Sequence, residues 1–224
     1  MSYEPVKVWR SLTWPNRISI GRLLLIPPFI VLLLNQGDWW WARGAAGAVF
    51  VIMGLSDAVD GFLARRLDLQ TRLGAILDPL ADKLLIVSAV TCLSVEGSAV
   101  PGFTLPNWVV VAVIGKDLWV IIGFTVVYLV TDRFRVHPTW AGKASTACQL
   151  VLVVSVLLLP EINALRGGLG TQIAWAMTWV VTIVSILAMI SYTRLGLQYV
   201  LAEQKPLDHH EDREPAGQTG SNEG

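Results

Sequence analysis

The sequence predicts an all-α integral membrane protein: six transmembrane helices, a short N-terminal interfacial helix and both termini cytoplasmic. Three observations predict it. Of the 224 residues, 54% are apolar and only 15% charged, against about 25% charged in a soluble domain. Six apolar stretches approach or exceed the roughly 20 residues that a helix needs to cross the hydrocarbon core. Positive charge alternates between the connections in the way that membrane orientation demands.

The elements follow in chain order. Residues 3–14 (YEPVKVWRSLTW) mix apolar, aromatic and basic side chains, which suits a short helix lying on the inner leaflet. The six apolar segments cover about 17–35, 41–63, 75–95, 107–131, 143–160 and 171–200. Backbone polar groups in lipid must be satisfied within the segment, so these are helices rather than open strands. From Glu203 onward the chain is polar and poor in hydrophobes, and is expected to be disordered. The expected organisation is therefore an interfacial segment over 1–16, a six-span domain over 17–200 and a polar tail over 201–224. A secretory signal is not expected, because the first apolar run lacks a small-residue cleavage site.

With the N-terminus inside, twelve basic residues fall on the cytoplasmic side, among them Arg17, Arg65, Arg66, Arg133, Arg135 and Lys143. Only Arg43 and Arg166 fall outside. Trp39, Trp40, Trp41 and Trp108 then lie at the outer boundary, and Trp9, Trp14 and Trp140 at the inner one, as interfacial anchors. The formal net charge is zero, which gives no electrostatic basis for binding nucleic acid. Cys92 and Cys148 both fall inside spans and read as small core hydrophobes, not a disulfide or metal framework. His209 and His210 stand in the polar tail and read as solvent-exposed.

Charge inside the spans is the anomaly. Arg22, Lys83 and Lys116 are the basic residues there, and Asp57, Asp60, Asp78 and Asp82 lie at the cytoplasmic ends of the second and third spans. Such groups cost a few kcal/mol each by insertion scales and usually line a cavity. At 100° per residue, Asp57, Asp60, Gly61 and Ala64 share one helical face within about 100° of arc. Gly74, Asp78 and Asp82, four residues apart, form a stripe on the next helix. A short basic turn joins the two helices, so they are neighbours and the stripes can face one pocket. Four carboxylates there would repel unless cations bind. Carboxylate oxygens with room for phosphate suit Mg²⁺ or Mn²⁺. Small residues on a membrane helix ordinarily serve helix packing; here Gly61, Ala64 and Gly74 also leave space beside the acids.

The pattern Asp57-x-x-Asp60-Gly61-x-x-Ala64-Arg65, eight residues, Gly74-x-x-x-Asp78-x-x-x-Asp82 resembles the signature of CDP-alcohol phosphatidyltransferases at every fixed position. The resemblance extends over roughly residues 3–200. It implies that Asp57, Asp60, Asp78 and Asp82 hold two divalent ions, with Asp82 also the general base. It implies that Gly61, Ala64, Arg65, Thr71 and Gly74, with Asn16 ahead of the first span, meet the CDP-diacylglycerol donor. A homodimer in the cell (inner) membrane, its active site facing the cytoplasm, is also implied.

The segment Gly142-Lys143-Ala-Ser-Thr146-Ala-Cys-Gln149 and the stretch Pro15-Asn16-Arg-Ile-Ser19-Ile-Gly-Arg22 resemble the branch that makes phosphatidylglycerophosphate from glycerol 3-phosphate. Arg22, Lys116 and Lys143 are candidate contacts for a phosphorylated acceptor, with Arg133 and Arg135 equally suited to inner-leaflet charge. Lys116-Asp117 departs from the Arg-Glu usual in that branch and is nearer the Arg-Asp of relatives that make cardiolipin. Phosphatidylglycerol is therefore the alternative acceptor. A cation or proton transporter is the rival of another class, but two matching halves with interrupted helices are not visible in the sequence. Membrane prenyltransferases also carry Asp-rich helices, but lack the Gly-x-x-Ala-Arg linker found here.

Overall fold

A computed structural model of the chain describes residues 14–67, 74–130 and 140–204. Seven α-helices account for nearly all of them: α1 (Trp14–Leu34), α2 (Ala42–Leu67), α3 (Gly74–Ser94), α4 (Asn107–Val130), α5 (Trp140–Leu157), α6 (Leu159–Leu165) and α7 (Leu169–Gln204). One 3₁₀ turn (Glu96–Ser98) and an isolated Val100–Phe103 bridge lie in the α3–α4 connection. The six long helices match the six apolar stretches within a few residues. The interfacial helix and the polar tail fall outside the described residues, apart from the ends of α1 and α7.

Two of the boundaries that differ from expectation have a local reason. Helix α1 already includes Pro15 and Asn16, because a proline in the first helical turn withholds an N–H that has no helical acceptor anyway. The helix over the fifth apolar stretch ends at Leu157, and a separate helix of about two turns, α6, follows with Pro160 near its start. A tight corner then turns into α7. Gly168 takes φ +80°, and a Cβ on Gly170 would stand 2.5 Å from the Leu159 carbonyl oxygen. Asn163 closes the corner, accepting from the Thr171 amide at 3.2 Å and donating to its hydroxyl at 3.0 Å.

The core runs lengthwise through the bundle. Helix α1 buries Ser19, Arg22, Ile26, Phe29 and Leu33, a stripe at helical spacing, and packs against both α2 and α3. Phe29 meets Phe50 of α2 with ring centroids 5.6 Å apart. Helix α7 packs mainly on α5 and α4, and the α3–α4 and α2–α5 contacts join the two groups. Pro27 and Pro28 sit inside α1, where they remove two helical donors; neighbouring helices make such losses tolerable in lipid.

The outer surface is apolar as well. Leu24, Val111, Leu129 and Ile183 are all exposed, and helices apolar all round belong in lipid. Asn107–Val127, Trp140–Leu157 and Leu169–Gln198 are long and apolar enough to cross a membrane, and Ile18–Leu34 and Ala42–Ser56 are shorter apolar helices. At the end where α2 and α4 begin, Trp39 stacks on Trp41 at 5.4 Å and Trp108 packs on Trp179 at 5.0 Å. Arg43 donates to Glu161 there at 2.5 Å, tying α2 to α6.

Candidate active site

The acidic signature lies at the opposite end, where α1, α3 and α5 begin. Asp57, Asp60, Gly61, Ala64 and Arg65 occupy the C-terminal half of α2, and Gly74, Asp78 and Asp82 the N-terminal half of α3. Both helices continue through these positions without a break, which is the backbone condition for one acidic face on α2 and one stripe on α3. Both helices pack on α1. The side chains between residues 57 and 78, and that of Asn16, are not among those described. Thr71, Arg133 and Arg135 fall outside the described residues altogether.

Asp82 is the member of the acidic set whose side chain is described. Arg22 of α1 donates from Nη1 to its Oδ1 at 2.6 Å. The guanidinium side chain is 1% exposed and the carboxylate 31%. Arg22 thus lies on the core-facing stripe of α1 and reaches its charge partner on α3, about 12 Å along each helix from its first residue. A planar guanidinium orients a carboxylate more sharply than an ammonium can. Asp82 is held in place yet keeps an open side.

A second polar cluster joins α3, α4, α5 and α7. Lys83 of α3 and Lys116 of α4 both contact Oδ1 of Asp117, Lys116 at 3.0 Å. The Lys116 ammonium also donates to Ser145 of α5 at 3.2 Å. Ser145 is wholly buried and accepts from Gln149 at 3.4 Å. With two acceptor positions taken, its own proton is left for Ser185 of α7, 3.4 Å away. The arrangement satisfies groups that would be costly alone in a low-dielectric interior. Of the candidate acceptor contacts, Arg22 is engaged with Asp82, Lys116 is buried in this cluster, and Lys143 is exposed in the first turn of α5.

The sequence alone marked Asp117 only as the second half of the Lys116-Asp117 pair. It gave Lys83 no role and overlooked Ser145 and Ser185. A signal was present for Ser145, which stands one turn before Gln149 in the Gly142–Gln149 segment. Nothing marked Ser185, an ordinary serine in an apolar helix.

Gly142 opens that segment and has a steric reason to be glycine. A Cβ there would stand 2.2 Å from the Tyr192 hydroxyl oxygen and 3.0 Å from the ring carbon bearing it. Gly142→Ala should therefore push the Tyr192 ring off the start of α5 and destabilise the bundle by about 1 kcal/mol. Tyr192→Phe in the same chain should recover part of that. Thermal unfolding in detergent, followed by tryptophan fluorescence, measures both; an unchanged midpoint for Gly142→Ala would contradict the contact.

Among the described side chains no group of three or more His, Cys, Asp or Glu residues could hold a metal ion. The expected ligand set instead spans α2 and α3, and its chemistry fits a hard divalent cation: carboxylate oxygens only, on two uninterrupted helices.

Comparison with known proteins agrees with the motif. A family model described as CDP-alcohol phosphatidyltransferase matches residues 12–190. A Bacillus subtilis protein named CDP-diacylglycerol–glycerol-3-phosphate 3-phosphatidyltransferase is 34% identical over 154 residues, covering 64% of this chain and 76% of the relative. A Mycobacterium tuberculosis protein provisionally named phosphatidylglycerophosphate synthase is 37% identical over 147 residues, covering 65% of each chain. A second M. tuberculosis protein, provisionally named cardiolipin synthase, is 34% identical over 157 residues, covering 69% of each.

Proposed function

The chain belongs to the CDP-alcohol phosphatidyltransferase family, and on that premise we propose that it transfers the phosphatidyl group of CDP-diacylglycerol to glycerol 3-phosphate, yielding phosphatidylglycerophosphate and CMP. What supports the reading is the acidic signature carried on two uninterrupted helices that both pack on α1, with Asp82 paired to Arg22.

Asp57, Asp60, Asp78 and Asp82 would hold the two divalent cations of the family. Bound there, Mg²⁺ or Mn²⁺ would neutralise the donor pyrophosphate and make CMP a better leaving group. Asp82 takes the proton of the acceptor hydroxyl. The freed oxygen pair forms a bond to the β-phosphorus, and the bond to the bridging oxygen breaks, its electron pair leaving with CMP. Arg22 keeps the accepting carboxylate in place. Gly61, Ala64 and Gly74 leave the helix surfaces low enough for the donor to approach, with Arg65, Thr71 and Asn16 as further donor contacts. The site faces the cytoplasm of the inner membrane and the six long helices span it, because the nucleotide is water-soluble and the diacyl chains are not. The functional unit in this reading is a homodimer.

A second reading has phosphatidylglycerol as acceptor, favoured by the Lys116-Asp117 pair and by the relative named for cardiolipin synthesis. An acceptor panel separates the two. Purified protein with labelled CDP-diacylglycerol and Mn²⁺ or Mg²⁺ should release CMP with glycerol 3-phosphate and not with phosphatidylglycerol, inositol phosphate or serine. Chelation by EDTA should abolish release, and either ion should restore it. Release only with phosphatidylglycerol would overturn the acceptor, and release with none would overturn the activity.

A further inference from the structure

Two lysines from different helices share a single carboxylate oxygen inside the bundle. The ammonium groups of Lys83 on α3 and Lys116 on α4 both contact Oδ1 of Asp117, so the two cations lie close together with one negative charge between them. The hydroxyls and amide around them, Ser145, Gln149 and Ser185, are neutral and buried. The described cluster therefore carries an excess of one positive charge. An uncompensated charge in a membrane interior is costly and asks for a counter-ion.

The exposures show where that counter-ion can enter. The Lys116 side chain is 4% exposed and that of Asp117 11%, but that of Lys83 is 42% exposed. Lys83 follows Asp82 directly on α3, about 100° around the helix from it. Asp82 is turned toward α1 by Arg22, and Lys83 toward α4 by Asp117. The open side of the cationic cluster thus borders the acidic stripe on its α4 flank. Ionisable groups within spans face a cavity or a polar interior rather than lipid, which assigns the exposed part of the Lys83 side chain to the space that Asp82 borders.

We propose that Lys83, tethered by Asp117 and backed by Lys116, is the cation that captures the phosphate of the acceptor and places its hydroxyl beside Asp82. The proposal rests on the phosphatidyltransferase reading above and narrows it to a phosphate monoester. A phosphate monoester offers the Lys83 ammonium three terminal oxygens as acceptors, against two non-bridging oxygens on the diester of a phospholipid. Asp117 is a positioning residue: it holds Lys83 toward α4 and keeps the two cations from repelling each other apart. Ser145 and Ser185 fix Lys116 behind them.

The test uses the full chain in detergent with Mn²⁺, varying glycerol 3-phosphate and CDP-diacylglycerol separately. Lys83→Gln should raise KM for glycerol 3-phosphate about 10- to 100-fold and leave KM for CDP-diacylglycerol within about twofold. Lys83→Arg should come back to within about fivefold of the parent KM, because charge is retained. Asp117→Asn should raise the same KM by about tenfold with Lys83 still present. Inorganic phosphate should inhibit the parent protein competitively against glycerol 3-phosphate, and Lys83→Gln should weaken that inhibition. An unchanged acceptor KM in Lys83→Gln, or a rise in donor KM instead, would overturn the proposal. A Lys83→Arg variant as impaired as Lys83→Gln would also overturn it. Should Lys83→Gln not fold, Asp117→Asn and the phosphate competition decide: an unmoved acceptor KM or the absence of competition overturns it. A parent protein that releases no CMP with glycerol 3-phosphate removes the underlying reading itself.

Discussion

Replacing Asp82 by Asn is expected to cut CMP release about 10³-fold while leaving the bundle folded. The amide has the size of the carboxylate and keeps an oxygen for Arg22 Nη1, which now donates to Asp82 Oδ1 at 2.6 Å. The cost to the fold is the difference between a charge-assisted and an ordinary hydrogen bond, about 1–2 kcal/mol. The amide oxygen cannot take the acceptor proton, however, and is a poorer ligand for a hard cation. Thermal unfolding and CMP release, measured on the same preparation, separate the two effects. Release at the parent rate would exclude Asp82 as the base, and collapse of the fold would show a mainly structural ion pair.

Arg22→Gln tests the other half of the pair. Removing one partner of a buried ion pair typically costs about 3–5 kcal/mol. Here the Arg22 side chain is 1% exposed but that of Asp82 is 31% exposed, so water relieves part of the stranded carboxylate. A loss of about 2–3 kcal/mol is expected. Activity should fall about 10- to 100-fold, mainly in kcat, because the variant loses an orienting contact rather than a binding site. If Arg22 bound the acceptor directly, KM for glycerol 3-phosphate would rise instead. The double variant with Asp82→Asn should be little less stable than Arg22→Gln alone, since the two changes remove one interaction. Strict additivity would show that the contact contributes nothing.

Most of the helical architecture was legible before any coordinates, because the requirement it answers is local. A stretch of about 20 apolar residues must form a helix in lipid whatever surrounds it, and six stretches yielded α1 to α5 and α7. Helix α6 was not legible: seven residues leave no periodic trace, and its place depends on Gly170 approaching the Leu159 carbonyl across the corner. The signature residues were legible for a related reason. Aspartates spaced by three and four residues define a helical face from the sequence alone.

Partners were a different matter. Arg22 and Asp82 are 60 residues apart, and no spacing rule links them; they meet because α1 packs on α3. Lys83 read as one more intramembrane cation until α4 placed Asp117 between it and Lys116. The sequence determined that this chain lives in lipid, that its acids lie on α2 and α3, and which family it joins. Only the tertiary structure decided which charge answers which. The penalty for a charge in lipid belongs to each residue and shows in composition, whereas its relief depends on helices that are distant in sequence and adjacent in space.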